Sequence, residues 1–238
     1  MKKVCLIHTI ILLSAIACSS QNSLPATITF ERKVVQESNG EDGKAVITYY
    51  FTINGDYAMG SHAEEGEDRK ATILYTKEGK MCMIDEDKKT ITIMNMPKFL
   101  GDAGKAVKKP KLPTVKEEEE KMKVTKTGKT KTICGYTAYE YEITSERGKS
   151  SWWYAAVDFD PAKIYSMGIG SSAMAGKLQA KKEELKDNPM AIALLNKNYL
   201  MAELEAGGKK GLETKTISKE HFIFSTTGYT IKEMKGFN

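Results

Sequence analysis

Histidine is scarce in this sequence, with three among 238 residues. One, His8, falls in an N-terminal stretch patterned like a cleaved leader. The other two, His62 and His221, lie in separate predicted segments. Ser-His-Asp catalysis and most zinc sites draw on histidine, so the supply argues against an envelope hydrolase and a zinc centre. No catalytic residue, metal ligand or cofactor is assigned, and a non-enzyme is expected. Cysteine is also scarce, at four. Cys5 belongs to the leader and Cys18 to its cleavage point, which leaves Cys82 and Cys134 either as a disulfide or as two small hydrophobes buried in strands. Beyond residue 17 no apolar run approaches the roughly 20 residues that cross a bilayer as a helix. Charge of one sign is lacking as well. The net charge is +5, and about +3 without Lys2 and Lys3, too small an excess to argue for nucleic acid.

Several chemical motifs fail on spacing. Gly170 to Lys177 has five residues between its glycines and Leu178 after the lysine, which a phosphate loop does not allow. Gly168 to Ala173 lacks the last glycine of a nucleophile elbow. The acidic stretch His62 to Asp68 could bring carboxylates and an imidazole near a cation but reads as a solvated hairpin loop, and so does Asp85 to Asp87, which lacks the length and spacing of a calcium loop.

What is present begins with an export signal over residues 1–17. Lys2 and Lys3 form its cationic head, Val4 to Ile16 its apolar body, and Ala15-Ile16-Ala17 a small-residue cleavage site. The next residue is Cys18, so Ala15 to Cys18 also resembles a bacterial lipobox, with Ala15 where such lipoproteins usually carry leucine. Both readings cut before Cys18. They differ in whether Cys18 is acylated, giving a lipid anchor, or is the first residue of a periplasmic or secreted protein. In the first reading residues 18–25 are a polar tether, and resemblance to such lipoproteins implies the outer membrane, because no Asp follows the cysteine. Residues 26–238 read as one domain.

The domain reads as mainly β. Residues 133–157 form a hairpin: Thr137, Tyr139, Tyr141 and Ile143 share one strand face, Ala138, Glu140 and Glu142 the other, and the return arm carries Trp152, Trp153 and Tyr154. Adjacent on a strand, the two tryptophans must point to opposite faces. Before the hairpin, short alternating strands follow one another from Thr27 to Met96, with Ala45, Ile47, Tyr49, Phe51 and Ile53 on one face and Asn54-Gly55 as a turn. Such close spacing argues for a barrel or curved antiparallel sheet. Residues 98–123 carry Lys105, Lys108, Lys109 and Lys111, then Glu117 to Glu120. They read as a solvated loop, with a flap or a basic lipid-facing patch as the alternative. Asp160-Pro161 and Asn188-Pro189 read as helix starts. A helix is expected over 190–206, with Ile192, Leu195, Tyr199 and Ala202 on a broad apolar face and Gly207-Gly208 as its C-cap. Further strands are expected over 212–218, 221–226 and 229–234.

The meander, the hairpin opened by Ile133-Cys134-Gly135-Tyr136 and the Trp152-Trp153-Tyr154 return arm resemble the bacterial domain of unknown function 4412 family (DUF4412), over roughly Thr27 to Met234. That family is similar in layout to the LolA/LolB lipoprotein carriers. The resemblance implies an α+β fold: a curved antiparallel half-barrel, with the helical insertion at about 161–208 as a lid between late strands. It further implies an apolar cavity for an acyl chain or other lipid-like ligand and no catalytic residues. Candidate lining residues are Tyr49, Phe51, Tyr139, Tyr141, Trp152, Trp153, Ile192, Leu195 and Tyr199. The alternative is a structural or interaction lipoprotein in which the same aromatics are core. The ligand, protein partners and oligomeric state are not legible in the sequence.

Overall fold

The computed structural model describes residues 24–40, 43–64, 71–95, 123–146, 148–165, 192–193, 196 and 198–234. Its strands are β1 (Thr27–Gly40), β2 (Gly43–Phe51), β3 (Tyr57–Glu64), β4 (Ala71–Thr76), β5 (Lys80–Asp85), β6 (Thr90–Asn95), β7 (Lys123–Ile133), β8 (Tyr136–Ser145), β9 (Gly148–Ala156), β10 (Tyr199–Ala206), β11 (Lys209–Ser225) and β12 (Thr230–Glu233). One short helix, α1 (Ala162–Tyr165), follows β9. All 12 strands belong to one open sheet, in the order β12-β6-β5-β4-β3-β2-β1-β11-β10-β9-β8-β7. Neighbours are antiparallel except β12, which runs parallel to β6.

Local chemistry explains the meander. Alternating β-branched and aromatic residues suit half-buried strands. In the Asn54-Gly55 turn, Asn54 Oδ1 accepts the Asp56 N–H at 3.0 Å. Between β7 and β8, Cys134 and Gly135 both take left-handed φ values of 49° and 85°, the backbone of a tight hairpin turn.

The last connection forces the sheet to curl. Six strands lie between β12 and β11, which in a flat sheet would separate the two by roughly 34 Å. The link from Ser225 to Thr230 can reach only about 18 Å when fully extended. The sheet therefore bends until the end of β11 meets the start of β12. There the Tyr229 ring lies 5.9 Å from that of Phe224, the Tyr229 hydroxyl donates to Glu86, and Thr230 N–H donates to Lys89 O at 2.8 Å.

Both faces of the middle strands are packed. Directly opposed residues share a face, so the row Tyr50, Met59, Leu74, Cys82, Ile93 lies on one side of β2 to β6 and the row Phe51, Ala58, Tyr75 on the other. The first row meets Phe30 and Phe224 inside the curl. The second meets Val34 and the β8 to β10 residues Ala138, Ala155, Leu200 and Ala202, together with Phe159 and Ile164 at α1. The C-terminal half thus folds over the opposite face from the one enclosed by the curl.

Two polar devices, one half-exposed and one buried, join the halves. Arg32 of β1 grips Asp158, just after β9, through Nε–Oδ1 at 3.1 Å and Nη2–Oδ2 at 2.5 Å. Tyr136 donates to the same carboxylate at 2.9 Å. Gln36 of β1 donates to Met201 O at 2.8 Å and to Thr214 Oγ1 at 2.9 Å, and Thr214 passes its own proton to Ala202 O at 2.8 Å. The second device sits where β10 bulges, between Met201 and Glu203.

The helix expected over 190–206 is corrected here: residues 199–206 are strand β10, inserted between β9 and β11. The bulge explains the misreading. It gives Ala202 no partner on β9, so side chains on either side of it no longer alternate with a period of two, and the apolar spacing imitates a helix. Gly207 and Gly208, with φ of 57° and 74°, make the β10–β11 hairpin turn rather than a helix cap. The helical lid reduces to α1 among the described residues, with Ile192 and Ala193 also helical. Asp160 does cap α1, accepting Ala162 N–H at 3.0 Å. The strands expected at 212–218 and 221–226 are one strand, β11. Residues 98–122 and Leu195 lie outside the described residues.

Candidate functional site

The registers of β7 to β10 sort the candidate residues onto two faces of one patch of sheet. Tyr141 lies opposite Lys126 on β7 and Trp152 on β9, while Tyr139 lies opposite Thr130 and Tyr154. Tyr154 and Trp152 in turn oppose Met201 and Leu204 of β10, and Tyr199 opposes Ala156. One face therefore carries Val124 and Lys126, Tyr139 and Tyr141, Trp152 and Tyr154, Tyr199 and Met201. The rings touch along it. Tyr139 stacks on Tyr199 at 5.9 Å between centroids, and Tyr141 meets Tyr154 edge-on at 5.4 Å.

This aromatic face is partly covered. Tyr154 is fully buried with Ile192 and Ala193, and Tyr141, Trp152, Tyr165, Tyr199 and Met201 pack around them half-buried. The Tyr165 hydroxyl accepts Met201 N–H at 2.7 Å, tying α1 to the bulged strand. Burial raises the pKa of Tyr141, Tyr154, Tyr165 and Tyr199 above the ordinary phenol value, so these hydroxyls stay neutral near pH 7. Across β7 to β10 this face bears no carboxylate. Its one cation is Lys126, whose Nζ lies 4.9 Å from the Tyr139 ring centroid and 5.9 Å from that of Tyr141.

The opposite face of the same strands has the reverse character. Glu140 and Glu203 flank Trp153 on the neighbouring strands, and both are buried. Lys131 lies 4.1 Å above the Trp153 ring and 2.6 Å from Glu203, which also meets Lys210 at 3.5 Å. Glu140 accepts from Thr127 at 2.7 Å and Ser151 at 3.0 Å, and pairs with Lys129 at 3.1 Å. Burial pushes the Glu140 carboxyl up, but these donors outweigh it and hold the pKa below the usual value. An acid kept ionised in this way is not poised to donate a proton near pH 7. At the end of this face, Glu142, Lys149, Ser151, Glu205 and the Gly207–Gly208 turn line a polar cleft of about 130 Å³.

Of the nine candidate lining residues, the structure brings Tyr139, Tyr141, Trp152, Tyr199 and Ile192 together. Trp153 points to the other face. Phe51 is fully buried, and Tyr49 packs beside it in the core between the two halves of the sheet. There the Tyr49 ring packs against Gly60, with Cδ1 and Cε1 3.2 Å from where a Cβ would be. Sequence reasoning missed Tyr154 as the centre of the patch and missed Lys126, although a lysine one hairpin away from two tyrosines was visible as strand pairing. His62 on β3 and His221 on β11 belong to different strands of the sheet. Among the described residues no group of three His, Cys, Asp or Glu is placed to hold a metal ion. Cys82 is buried, Cys134 exposed, and both are free thiols.

No curated protein matches the chain. Among solved structures it is similar to PNGF-II in its C2 crystal form, at 10% identity and a TM-score of 0.42, over 86% of this chain and 31% of that one. It thus spans about a third of that protein's length. It is also similar to an uncharacterised conserved protein from Thermus thermophilus, at 5% identity and a TM-score of 0.40, over 87% of this chain and 92% of that one. The family model described as domain of unknown function 4412 matches residues 30–221, from Phe30 of β1 to His221 of β11, and the chain belongs to that family.

Proposed function

We propose that the chain is an exported, non-enzymatic cell-envelope protein that binds a hydrophobic, lipid-like ligand against the aromatic face of β8 to β10. One observation carries the ligand reading: Tyr139, Tyr141, Trp152 and Tyr199 share a face without carboxylates and keep part of their surface accessible. An apolar wall with a few hydroxyls for orientation is the usual lining of a small-molecule site. Export rests on the leader pattern of residues 1–17, and the membrane anchor on acylation of Cys18.

Native mass spectrometry of the folded protein purified from its envelope tests the ligand, and mass analysis of the mature N-terminus tests the anchor. For a solution assay, Trp153→Phe leaves Trp152 as the sole tryptophan of a chain that has two. A lipid probe should then quench its emission. If no lipid co-purifies and no probe reaches Trp152, the ligand reading fails. A second reading, a structural or interaction lipoprotein with a filled core, is favoured by Phe51 and Tyr154, which have no exposed surface and make ring contacts with neighbours. That failure would leave it standing.

A further inference from the structure

We infer that the ligand of the aromatic face is an anionic amphiphile, a single acyl or alkyl chain ending in a carboxylate or phosphate, with its head group held by Lys126. This rests on the ligand reading above and adds the head-group charge. The argument is the segregation of charge between the two faces of β7 to β10. Every glutamate of β8 and β10 falls on the Trp153 face, and four lysines that reach that face are paired there: Lys129 with Glu140, Lys131 and Lys210 with Glu203, Lys149 with Glu142, while Lys123 lies at its far edge. Lys126 alone projects onto the aromatic face, where it has no carboxylate partner among the described residues. The irregularity in β7 makes the separation. Thr127, Gly128 and Lys129 stand against Glu140 alone, so Lys126 and Thr130 both stay on the aromatic face while Lys129 turns to the acids.

The geometry orients the ammonium without neutralising it. Two tyrosine faces hold Nζ over the rim of the patch, and a ring quadrupole supports a cation but supplies no counter-charge. From Lys126 the row Tyr141, Trp152, Leu204 crosses three strand spacings, roughly 14 Å, a length suited to the chain of a medium-sized fatty acid. A neutral lipid would leave the lysine unanswered, and an acid on the face would have answered it.

The test compares dodecanoate, dodecyl phosphate, dodecan-1-ol and inorganic phosphate, by quenching of Trp152 in the Trp153→Phe protein at pH 8. Both anionic amphiphiles should bind about tenfold more tightly than the alcohol, the effect of one charge-assisted contact, and the advantage should shrink as salt rises. Lys126→Met should abolish the advantage and leave alcohol binding unchanged. Lys126→Arg should keep it, as should Lys129→Met, which removes a lysine of the other face. Equal binding of anion and alcohol, or an advantage that survives Lys126→Met, overturns the head-group assignment while the ligand reading stands. Tight binding of inorganic phosphate alone replaces the amphiphile with a free anion and overturns it too. If neither dodecanoate nor dodecan-1-ol binds, both the assignment and the ligand reading fall. Lys126 is exposed on an edge strand, so its replacement should leave the unfolding midpoint unchanged, which circular dichroism verifies.

Discussion

The clamp between Arg32 and Asp158 makes a sharp prediction because its two partners are unequally buried. The Arg32 side chain is 9% exposed and the Asp158 side chain 46%. The hydrogen bond from Arg32, with that from Tyr136, holds the Asp158 pKa down to about 2, against about 3.9 in an unfolded chain. Converted without correction, that difference is worth about 2.6 kcal/mol of stability. Nearly half the carboxylate is in water, so screening reduces the figure to about 1 kcal/mol. The cost of removing one partner depends on what is left behind. Asp158→Asn leaves a buried guanidinium with no counter-charge, though Glu31 O still accepts from it at 2.9 Å, and should cost about 2 to 3 kcal/mol, below the range for breaking a fully buried pair. Arg32→Met leaves a carboxylate that water can solvate, and should cost less, about 1 kcal/mol. The double variant should recover stability relative to Asp158→Asn alone. The pH dependence has a fixed sign. Because the folded pKa is depressed, the contribution is fully present above about pH 5 and is lost as pH falls through about 4 toward 2. Urea unfolding at pH 7 and pH 2.5 measures all of this. Arg32→Met costing more than Asp158→Asn at pH 7, or a gap between wild type and Asp158→Asn that persists undiminished at pH 2.5, would refute the reasoning.

Gln36→Leu removes the donor that Met201 O receives inside the sheet and should destabilise by about 1 to 3 kcal/mol. Combined with Thr214→Val it should cost less than the two singles added, because both serve one relay; strict additivity in urea melts would contradict that relay. Alkylation at pH 8 should separate the two thiols of the sheet: burial pushes Cys82 up to about 12, so in the native protein iodoacetamide should label Cys134 and spare Cys82, and equal labelling of the two by mass spectrometry would mean β4 to β6 open readily. Phe30→Ala, which empties a fully buried site inside the curl, should cost about 3 to 5 kcal/mol, and a loss under about 1 kcal/mol would show that the curl is loosely packed.

How much of this was legible beforehand depended on how local each determinant is. Among the described connections, β2 to β3, β4 to β5 and β5 to β6 are joined by turns of three to five residues whose chemistry is local, and such turns between alternating runs located these strands. The pairing of β1 with β11, which joins Thr27 to Ser225, has no local signature, so the strand order could not be read, although the close spacing of short strands did point to a curved sheet. Asp160 was legible as a cap because capping is a two-residue contact. Strand β10 was not, because a single unpaired residue, Ala202, breaks the period that identifies a strand. The opposition of Trp152 and Trp153 followed from that period, but which tryptophan joined the tyrosines was fixed only by the register of β8 against β9.

The charged face of β8 shows why polarity alone misplaces a strand. Glu140 and Glu142 alternate with tyrosines, which reads as a solvent side and a core side. Both sides are in fact packed. Ala138 lies fully buried on the glutamate side, against Ala155, and Glu140 is buried two residues further on. A carboxylate can occupy such a position only if donors replace the water it loses, and here they come from β7 and β9: Thr127, Lys129 and Ser151. The glutamates of β8 and β10 are thereby gathered onto one face, and Glu140, Glu142 and Glu203 are answered there by lysines. Among the described residues of β7 to β10, the same segregation leaves the tyrosine side with aromatic surface, neutral hydroxyls and one ammonium without a carboxylate partner. A lysine at that rim is the one feature that the proposed anionic amphiphile needs and that packing of the tyrosines by itself does not use.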